Sequence, residues 1–263
     1  MGSAEVQGDL WGRAAEEWSA LQESHHGPLF ETMLDAVGIN REDRFLDVGC
    51  GSGGASLLAA DRGAVVTGLD ASAPMIKIAK KRLPSADFRL GDLEGLPFRD
   101  ESFDVVFAAN SIQFAANPLA ALEELGRVAA SEGRVVVSLF ASPEHVDFRV
   151  AFEAMSSLRP TPPSDQGPFT LSHGDDLEAL MIQSGLAPVA SGEIECPFSY
   201  PNREAAWKAI ASSGPSQSVM DEVGADTLRA VVLDAFGNFE KSSGDILLHN
   251  RFKYVTALSA TGS

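Results

Sequence analysis

Closely spaced glycines in the stretch FLDVGCGSGG, residues 45–54, could bring backbone N–H groups against a ligand. Gly49, Gly51 and Gly53 give the pattern G-x-G-x-G, while Gly49, Gly51 and Gly54 give the G-x-G-x-x-G of dinucleotide-binding loops. Glycine allows a sharp turn, and the N-terminus of the helix expected next would point at the same ligand. The glycines therefore predict a nucleotide-type cofactor without identifying it.

The residue that separates the two cofactor classes is Asp47, which precedes the first glycine by two positions. Its carboxylate is expected at a strand end beside whatever the loop holds, where it would repel a pyrophosphate. Two like charges a few ångströms apart cost on the order of a few kcal/mol at an effective dielectric constant of about 20. A ligand with ammonium and sulfonium groups would be attracted instead, so Asp47 disfavours a nicotinamide dinucleotide.

Two further acids follow the next two predicted strands. Asp70 ends the second strand, where a carboxylate can accept hydrogen bonds from both hydroxyls of a ribose; the alternative is a helix N-cap. Asp92 follows the third strand and could accept from an adenine amine, with Leu93 flanking the ring; the alternative is a turn aspartate. Three carboxylates at successive strand ends suit a nucleoside with a cationic tail.

The elements that must position these residues alternate between strands and helices. Short apolar or β-branched runs predict strands at 44–48, 64–69, 87–90, 104–108 and 134–139, with helices at 54–62, 73–83 and 118–130 between them. This order implies an α/β fold with a parallel, doubly wound sheet, whose ligands lie at the C-terminal strand ends. Less regular patterning follows, with helices near 146–158, 174–184, 203–212 and 216–236 and strands near 189–198 and 247–257.

Composition limits the class of partner and the compartment. Thirty-seven acidic residues against twenty basic ones give a formal net charge of −17, which disfavours nucleic acid and anionic membranes as partners. Cys50 and Cys196 form neither a metal-type cluster nor a disulfide framework, as expected of a chain in a reducing cytoplasm. The absence of a long apolar run disfavours a membrane span, so a cytoplasmic protein with a small-molecule ligand is expected.

Four segments of the chain resemble the class I S-adenosylmethionine-dependent methyltransferases, in particular the small-molecule group related to ubiquinone and menaquinone C-methyltransferases. The matching segments are LDVGCGSGG (46–54), GLDASAPMIKIAKKR (68–82), GDLEGLPFRDESFDVVFAANSIQF (91–114) and ALEELGRV with EGRVVVS (121–138). The resemblance implies S-adenosylmethionine as the cofactor. It also implies a Rossmann-like, seven-stranded, mostly parallel sheet with an N-terminal helical cap and a helical insertion before the last strand.

The same resemblance implies a role for each residue of the cofactor site. Asp47 and the loop residues would lie near the methionine end, and Asp70 would bind the ribose. Met75 would lie against the adenine, with Asp92 and Leu93 at its edge. Asn110 would offer its backbone carbonyl to the ligand ammonium. Residues 111–114 would separate cofactor from substrate. The full set of predicted cofactor-binding residues is Asp47, Gly49, Cys50, Gly51, Gly53, Asp70, Ala71, Met75, Asp92, Leu93 and Asn110.

The histidines are the candidate bases. Methyl transfer from a sulfonium depends on positioning and on exclusion of water, so no catalytic motif is compulsory, but a hydroxyl acceptor would benefit from a base. His145 follows the fifth predicted strand and is the candidate catalytic residue, while His25 and His26 lie where an N-terminal cap could fold over the cleft. His249, in the final predicted strand, is expected to be structural. For every histidine the alternative is a surface or packing role.

We expect one methyltransferase domain over residues 1–263, with a cap at 1–43, a cofactor-binding half at 44–142 and a substrate-side half at 143–263. Trp11 and Trp18 are expected on one helical face that packs on the core or covers the cofactor. The run 201–215 is predicted to be an amphipathic helix on the core or on a partner subunit, which leaves a homodimer open. RPTPPSDQG, residues 159–167, predicts a mobile loop.

The leading functional hypothesis is S-adenosylmethionine-dependent O- or C-methylation of a small molecule, such as an aromatic or polyketide-like secondary metabolite. One alternative is a scaffold that retains the cofactor and catalyses another reaction such as cyclisation, because one fold hosts many activities. A nicotinamide-dependent oxidoreductase is a more distant alternative.

Overall fold

The computed structural model describes residues 3–159 and 167–259. Its first elements are the helices α1 (Ala4–Gly12), α2 (Ala15–Leu21) and α3 (Gly27–Ala36), with a 3₁₀ turn at Glu23–His26 before α3. These elements form the expected N-terminal cap. Trp11 lies on α1 and Trp18 on α2, so the expectation that one helix carries both residues is wrong. Their rings nevertheless meet edge to face, with centroids 4.8 Å apart.

The alternating half follows the predicted order closely. Its elements are β1 (Arg44–Val48), α4 (Gly54–Asp61), β2 (Val65–Asp70), α5 (Ala73–Arg82), β3 (Asp87–Leu90), β4 (Phe103–Ala109), α6 (Pro118–Val128) and β5 (Ala129–Phe140). Two of the helices begin at polar N-caps. Ser72 Oγ accepts from the backbone N–H of Met75, and the Asn117 side chain accepts from that of Ala120.

The second half contains one small strand that was not predicted, β7. Its elements are α7 (Arg149–Ser157), α8 (Asp176–Gln183), β6 (Ala187–Glu195), β7 (Phe198–Tyr200), α9 (Arg203–Ala211), α10 (Gly214–Val223), α11 (Ala225–Ala235), β8 (Ile246–Leu248) and β9 (Arg251–Leu258). The helix predicted at 216–236 is two helices, because the chain turns at Gly224 with φ of 83°. The final predicted strand is likewise divided. His249 lies between β8 and β9, exposed and 2.8 Å from a carboxylate oxygen of Glu195, so its placement within a strand is wrong.

The main sheet has seven strands in the order β3-β2-β1-β4-β5-β9-β6, and β7 pairs with β8 in a separate antiparallel sheet. The first five strands are parallel, whereas β9 runs antiparallel to both β5 and β6. The predicted seven-stranded, mostly parallel sheet with helices before its last strand is thereby confirmed. The carboxyl ends of the parallel strands meet at one edge of the sheet.

Helices cover both faces of the sheet, which explains the nearly continuous apolar character of β1 and β4. Phe45 and Phe107 point into a core shared with α3, α7, α9 and α11, while Leu46 and Val106 point into a core shared with α6 and α8. The amphipathic helix predicted near 201–215 corresponds to α9, whose Ile210 is buried in the first of these cores. Its apolar face is therefore satisfied within the chain.

Residues 160–166 of the predicted mobile loop lie outside the described residues. Of the helices in the part of the chain that the structure describes, none is long and apolar enough to cross a lipid bilayer.

Candidate functional site

A large cavity opens at the carboxyl edge of the sheet. It runs from the ends of β1, β2 and β3, past β4, to the end of β5, and its remaining walls come from the cap and from α7, α9 and the start of α10. The space between protein atoms is about 1340 Å³ with the mouth included. The lining residues come from both the strand ends and the helices of the second half, so the cavity borders the glycine loop at one end and α7 and α9 at the other.

The glycine loop after β1 forms one end of this cavity. Gly49 has φ of 75°, and a Cβ atom there would lie 2.4 Å from Cβ of Ser111, so only glycine fits. The N–H groups of Gly49 and Cys50 both donate to the carbonyl of Leu69, at 2.8 and 3.0 Å. Gly49, Cys50 and Gly51 line the cavity. Gly53 does not; it caps α4 and faces Ala79.

Asp47 is not part of the cavity wall, contrary to the expectation that its carboxylate would lie beside the ligand. Its side chain is 2% exposed and Oδ2 accepts from Ser56 Oγ at 2.7 Å. Burial raises the pKa of Asp47 to about 7, and the nearby Asp70 and Glu23 add to this effect. Asp47 is therefore a buried acid that titrates near neutral pH rather than a fixed negative charge at the ligand.

Asp70 lies at the cavity wall and also organises the backbone around it. Oδ2 accepts from the N–H of Gly51 and Oδ1 from that of Ser72, both at 2.8 Å. Burial raises the pKa of Asp70, while the N–H groups of Ser72 and Gly51 oppose that shift. The N-cap of α5 is Ser72, so the alternative role of Asp70 as that cap is wrong. The N–H of Ala71 acts on the same carboxylate, so three of its roughly four lone-pair sites face the backbone and acceptor capacity remains for a ligand hydroxyl.

The other predicted residues of the adenosine region also line the cavity. Ala71, Met75, Asp92 and Leu93 all contribute to its wall. Asp92 has the turn role as well, because its Oδ1 accepts from the N–H of Glu94 at 2.9 Å. The two roles weighed for Asp92 are thus compatible.

Asn110, just past β4, adopts a strained backbone conformation at the middle of the cavity. Its φ is 51°, in the left-handed region that non-glycine residues rarely occupy. Oδ1 of Asn110 and Oε1 of Gln113 are buried, and neither finds a hydrogen-bond partner among the residues that the structure describes. Both residues line the cavity. Buried acceptors are normally paired, so these two oxygens suit donors supplied by a ligand.

Glu23, in the 3₁₀ turn of the cap, was missed by sequence reasoning and lines the same cavity. Its carboxylate accepts from Ser52 Oγ at 2.5 Å and from the N–H of Gly54 at 3.1 Å, and it pairs with Arg82. Glu23 as a whole is 8% exposed. Its partners lie on the glycine loop and on α5, far along the chain, so no local pattern could have revealed them.

His145 lies away from the cavity, exposed, with Nδ1 3.7 Å from a carboxylate oxygen of Glu193. The geometry therefore gives no support to His145 as the base. The histidine that lines the cavity is His26, which is 6% exposed. Burial lowers the pKa of His26 to about 4, with the neighbouring His25 acting in the same direction. The His26 ring is consequently neutral at physiological pH.

Aromatic rings form a continuous wall along the cavity. Successive centroids lie 4.8 to 5.9 Å apart, with the rings in the order Phe152, Phe148, Phe198, His26, Trp18, Trp11 and Phe114. We call these seven residues the aromatic wall; every one of them lines the cavity. The wall extends from the substrate-side half to the cofactor-side half, and His26 is at its midpoint. Trp11 and Trp18 thus cover the cavity as well as packing on Met75.

Comparison with known proteins agrees with the fold and with the glycine loop. Residues 46–137 match the family described as "Methyltransferase domain". A demethylmenaquinone methyltransferase of Renibacterium salmoninarum is 40% identical over 120 residues, which make up 46% of this chain and 51% of that protein. The chain thus spans about half the length of the curated relatives it matches.

Solved structures resemble nearly the whole chain. A SAM dependent methyltransferase from Aquifex aeolicus has a TM-score of 0.58 and 15% identity, covering 94% of this chain and 98% of that one. The [4+2]-cyclase SpnF has a TM-score of 0.59 and 20% identity, covering 90% and 82%. At these identities the likeness shows the fold alone. Residues 46–137 thus match a methyltransferase domain, the demethylmenaquinone methyltransferases match just under half of the chain, and the fold of the chain is similar to that of solved methyltransferases.

Proposed function

We propose that this protein transfers a methyl group from S-adenosylmethionine to oxygen or carbon of a small-molecule acceptor. The observation that carries the proposal is the charge of the cavity. Asp70 and Asp92 line it beside the glycine loop, Glu23 lines it as the partner of Arg82, and within residues 3–159 and 167–259 no lining residue is itself lysine or arginine. Such a cavity fits a nucleoside that bears ammonium and sulfonium groups.

Each of these cavity residues would contact a different part of the cofactor. Asp70 would accept from the ribose hydroxyls, Asp92 from the adenine amine, and Leu93 and Met75 would pack on the adenine ring. The backbone carbonyl of Asn110 would accept from the ammonium group. Asp47 would act from behind the loop, as a buried acid whose charge responds to the ligand. When bound, the cofactor supplies a methyl group activated by a positively charged sulfur.

The chain's own contribution is positioning and exclusion of water. Trp11 and Trp18 lie over the cofactor side of the cavity, and Gln113 and Phe114 lie where cofactor and acceptor would meet. Holding two reactants at the correct distance in a closed site can supply several kcal/mol of a reaction barrier, on the order of 7–11 in the best intramolecular cases. No strong base lines the cavity in the described ranges, which suits an acceptor that needs little help in losing its proton.

The same carboxylates argue against a nicotinamide dinucleotide. A pyrophosphate in this cavity would face Asp70 and Asp92, and the lining residues of the described part of the chain include no cationic side chain; Arg82 lies behind Glu23 and is paired with it. Like charges at a few ångströms cost on the order of a few kcal/mol at an effective dielectric constant of about 20. An oxidoreductase of this kind is therefore disfavoured by the electrostatics of the site.

A second candidate is a protein that keeps the cofactor but catalyses a cyclisation. The fold likeness to the [4+2]-cyclase SpnF is the observation that favours it. In the present chain, the aromatic wall could hold a folded apolar substrate for a reaction that involves no proton transfer.

Isothermal titration calorimetry with S-adenosylmethionine, S-adenosylhomocysteine and NADH tests the proposal. We expect the first two to bind and NADH not to bind; the opposite pattern would overturn it. Formation of S-adenosylhomocysteine over a panel of phenolic and carbon-nucleophile acceptors then separates the two candidates. Tight cofactor binding without this product across the panel would favour the cyclase-type function.

A further inference from the structure

A second, smaller pocket lies on the side of the sheet that α8 covers. We call it the serine pocket; the residues that line it include Ser142, Ser172, Gly174, Ser191, Glu193 and Lys253. Phe252 and Lys253 are neighbours on β9, so Phe252 points toward His26 of the large cavity while Lys253 points toward Glu178 of α8. Within the described ranges, no residue lines both spaces. The serine pocket is therefore a separate site.

Lys253 supplies a positive charge in the wall of the serine pocket. The residue is 9% exposed, and its Nζ donates to the backbone carbonyl of Gly174 and to Oε2 of Glu178, both at 2.6 Å. An ammonium group carries three N–H donors. One donor therefore remains without a partner in the described part of the chain. Buried donors are normally paired, so this one suits an acceptor that a ligand supplies.

Glu193 supplies a negative charge on the neighbouring strand. It lies directly opposite Lys253 in the pairing of β6 with β9, a position that brings the two Cβ atoms to about 4.5–5.5 Å from each other. The side chains nevertheless diverge, since Lys253 pairs with Glu178. The Glu193 carboxylate lies 3.7 Å from Nδ1 of His145 and 3.6 Å from Nη1 of Arg251, both longer than a hydrogen bond. It is thus loosely held and open to a stronger donor.

The hydroxyl groups of the pocket complete a polar lining between these two charges. Ser142, Ser172 and Ser191 each carry a hydroxyl group that can donate or accept. The Ser172 hydroxyl already donates to the backbone carbonyl of Phe140 at 2.6 Å, which leaves its oxygen as an acceptor. The lining therefore offers a positive group, a negative group and neutral hydrogen-bonding groups within one small space.

A ligand that carries a single charge fits this arrangement poorly. An anion would meet Lys253 but also the carboxylates of Glu178 and Glu193, and a cation would meet Glu193 but also Lys253. A small zwitterion meets both requirements. Its carboxylate accepts from the remaining N–H of Lys253, and its ammonium group donates to Glu193, so both contacts are charge-assisted hydrogen bonds.

We propose that the serine pocket binds a small zwitterion of the α-amino acid class, with the carboxylate at Lys253 and the ammonium group at Glu193. This inference goes beyond the proposed function and does not depend on it, because the pocket and the large cavity have separate linings.

Three molecules of nearly equal shape give the first test: L-alanine, L-lactate and L-alaninamide. The measurement is the shift of the backbone amide signals of the ¹⁵N-labelled wild-type chain during titration with each. We expect L-alanine to shift the signals of Gly174 and Gly192, with a Kd of about 1 mM. L-Lactate lacks the ammonium group and L-alaninamide lacks the carboxylate, so each should bind at least about tenfold more weakly.

Two results of this titration would overturn the proposal. One is the absence of saturable shifts at Gly174 and Gly192 with L-alanine up to about 50 mM, where a site with a Kd of about 1 mM is filled. The other is equal binding of L-lactate or L-alaninamide. Shifts at Gly49 and Gly51 in place of Gly174 and Gly192 would put L-alanine in the large cavity and would also count against the serine pocket.

Variants of two glutamates on β6 give the second test. Glu193→Gln keeps the size of the side chain and removes its charge, so affinity for L-alanine should fall at least about tenfold and the preference over L-lactate should disappear. Glu195→Gln is the matched control, because Glu195 lies two residues further along the same strand, pairs with His249 and does not line the pocket. A preference retained in Glu193→Gln, or lost equally in both variants, would contradict the role of Glu193.

The positive end of the site is tested with a double variant. Lys253→Gln alone would leave the Glu178 carboxylate without its partner, so it is combined with Glu178→Gln. In the folded double variant the preference for L-alanine over L-alaninamide should disappear. A preserved preference would contradict the role of Lys253. If the double variant proves unfolded in a thermal melt, the ¹⁵Nζ signal of Lys253 in the wild-type chain decides: it should shift with L-alanine and not with L-alaninamide, and identical spectra would refute the contact.

Discussion

The Glu23 carboxylate of the cap lies 2.5 Å from the Ser52 hydroxyl of the glycine loop. Because the same carboxylate accepts from the N–H of Gly54 and pairs with Arg82 of α5, one side chain joins the cap to two elements of the cofactor side. At the other end of the cap, Ser3 donates twice to Glu94, at 3.1 Å each. The position of the cap is therefore fixed at both ends.

Replacing the buried acid of the cap, Glu23→Gln, should destabilise the chain by about 1–3 kcal/mol. The reason is that Arg82 and the Ser52 hydroxyl lose a charged partner in a poorly hydrated place. Urea denaturation measures the change. Glu31→Gln is the control, since the Glu31–Arg62 pair at 2.5 Å is more exposed and should contribute no more than about 1 kcal/mol. Equal losses of unfolding free energy in the two variants would mean that the Glu23–Arg82 pair stabilises the chain no more than an exposed ion pair does.

Gly8→Ala should weaken cofactor binding by pushing α1 away from the cavity. A Cβ atom on Gly8 would lie 2.2 Å from the carbonyl oxygen of Ala71, which is backbone and cannot rotate away. Overpacking of this kind typically costs about 1–3 kcal/mol. Calorimetric titration with S-adenosylhomocysteine should show the loss in the variant. Gly27→Ala, where a Cβ atom meets nothing within 4 Å, should leave the affinity unchanged.

Removing the carboxylate at the end of β2, Asp70→Ala, should cost roughly 1–3 kcal/mol of cofactor binding through lost charge-assisted bonds. The N–H groups of Gly51 and Ser72 also lose their partner, so the loop itself should loosen. Asp87→Ala, an exposed acid on β3 paired with Arg89, is the comparison. If the Asp70→Ala variant binds S-adenosylhomocysteine as tightly as the wild-type chain does, the role of Asp70 is limited to holding the backbone at Gly51 and Ser72.

Cofactor affinity should depend on pH through Asp47. Burial raises the pKa of Asp47 to about 7 in the free chain, so the group is partly protonated at neutral pH. A cationic ligand favours the ionised form and lowers this pKa, so binding releases protons and affinity falls as the pH drops below about 7. Calorimetry in buffers of different ionisation enthalpy measures the release. The Asp47→Asn variant should release no protons when the cofactor binds. An unchanged proton release in that variant would mean that a different group loses the proton.

Local patterns were sufficient for the cofactor-side half of the fold. The bounds of β1 and β3 were predicted to the residue, because each strand is a short run ended by glycine. The order of the parallel strands followed from the same signals, but β5 begins at Ala129, five residues before its predicted start, where a helix was expected to continue. The separate β7–β8 sheet was missed, since three helices stand between its two short strands along the chain.

The site was predicted less completely, for reasons that can be named. Nine of the eleven predicted cofactor residues line the cavity, because strand ends and the glycine loop place them there. Asp47 does not, since its side chain points to Ser56 of α4 and chain spacing does not reveal that direction. Glu23 and His26 reach the cavity only because the cap folds back over the sheet, a tertiary arrangement that the cap's own sequence does not encode locally.

The cap has a consequence for the timing of turnover. Cap residues between Ser3 and Phe30 wall the same cavity as the glycine loop, and Glu23 joins that cap to Ser52, Gly54 and Arg82, so we expect a nucleoside held there to leave when these contacts open. The dwell time of the spent nucleoside would then be governed by the breaking of that carboxylate's bonds rather than by the chemical step. Exchange of the acceptor through the mouth of the cavity and exchange of the nucleoside beneath the cap would then occur at different rates.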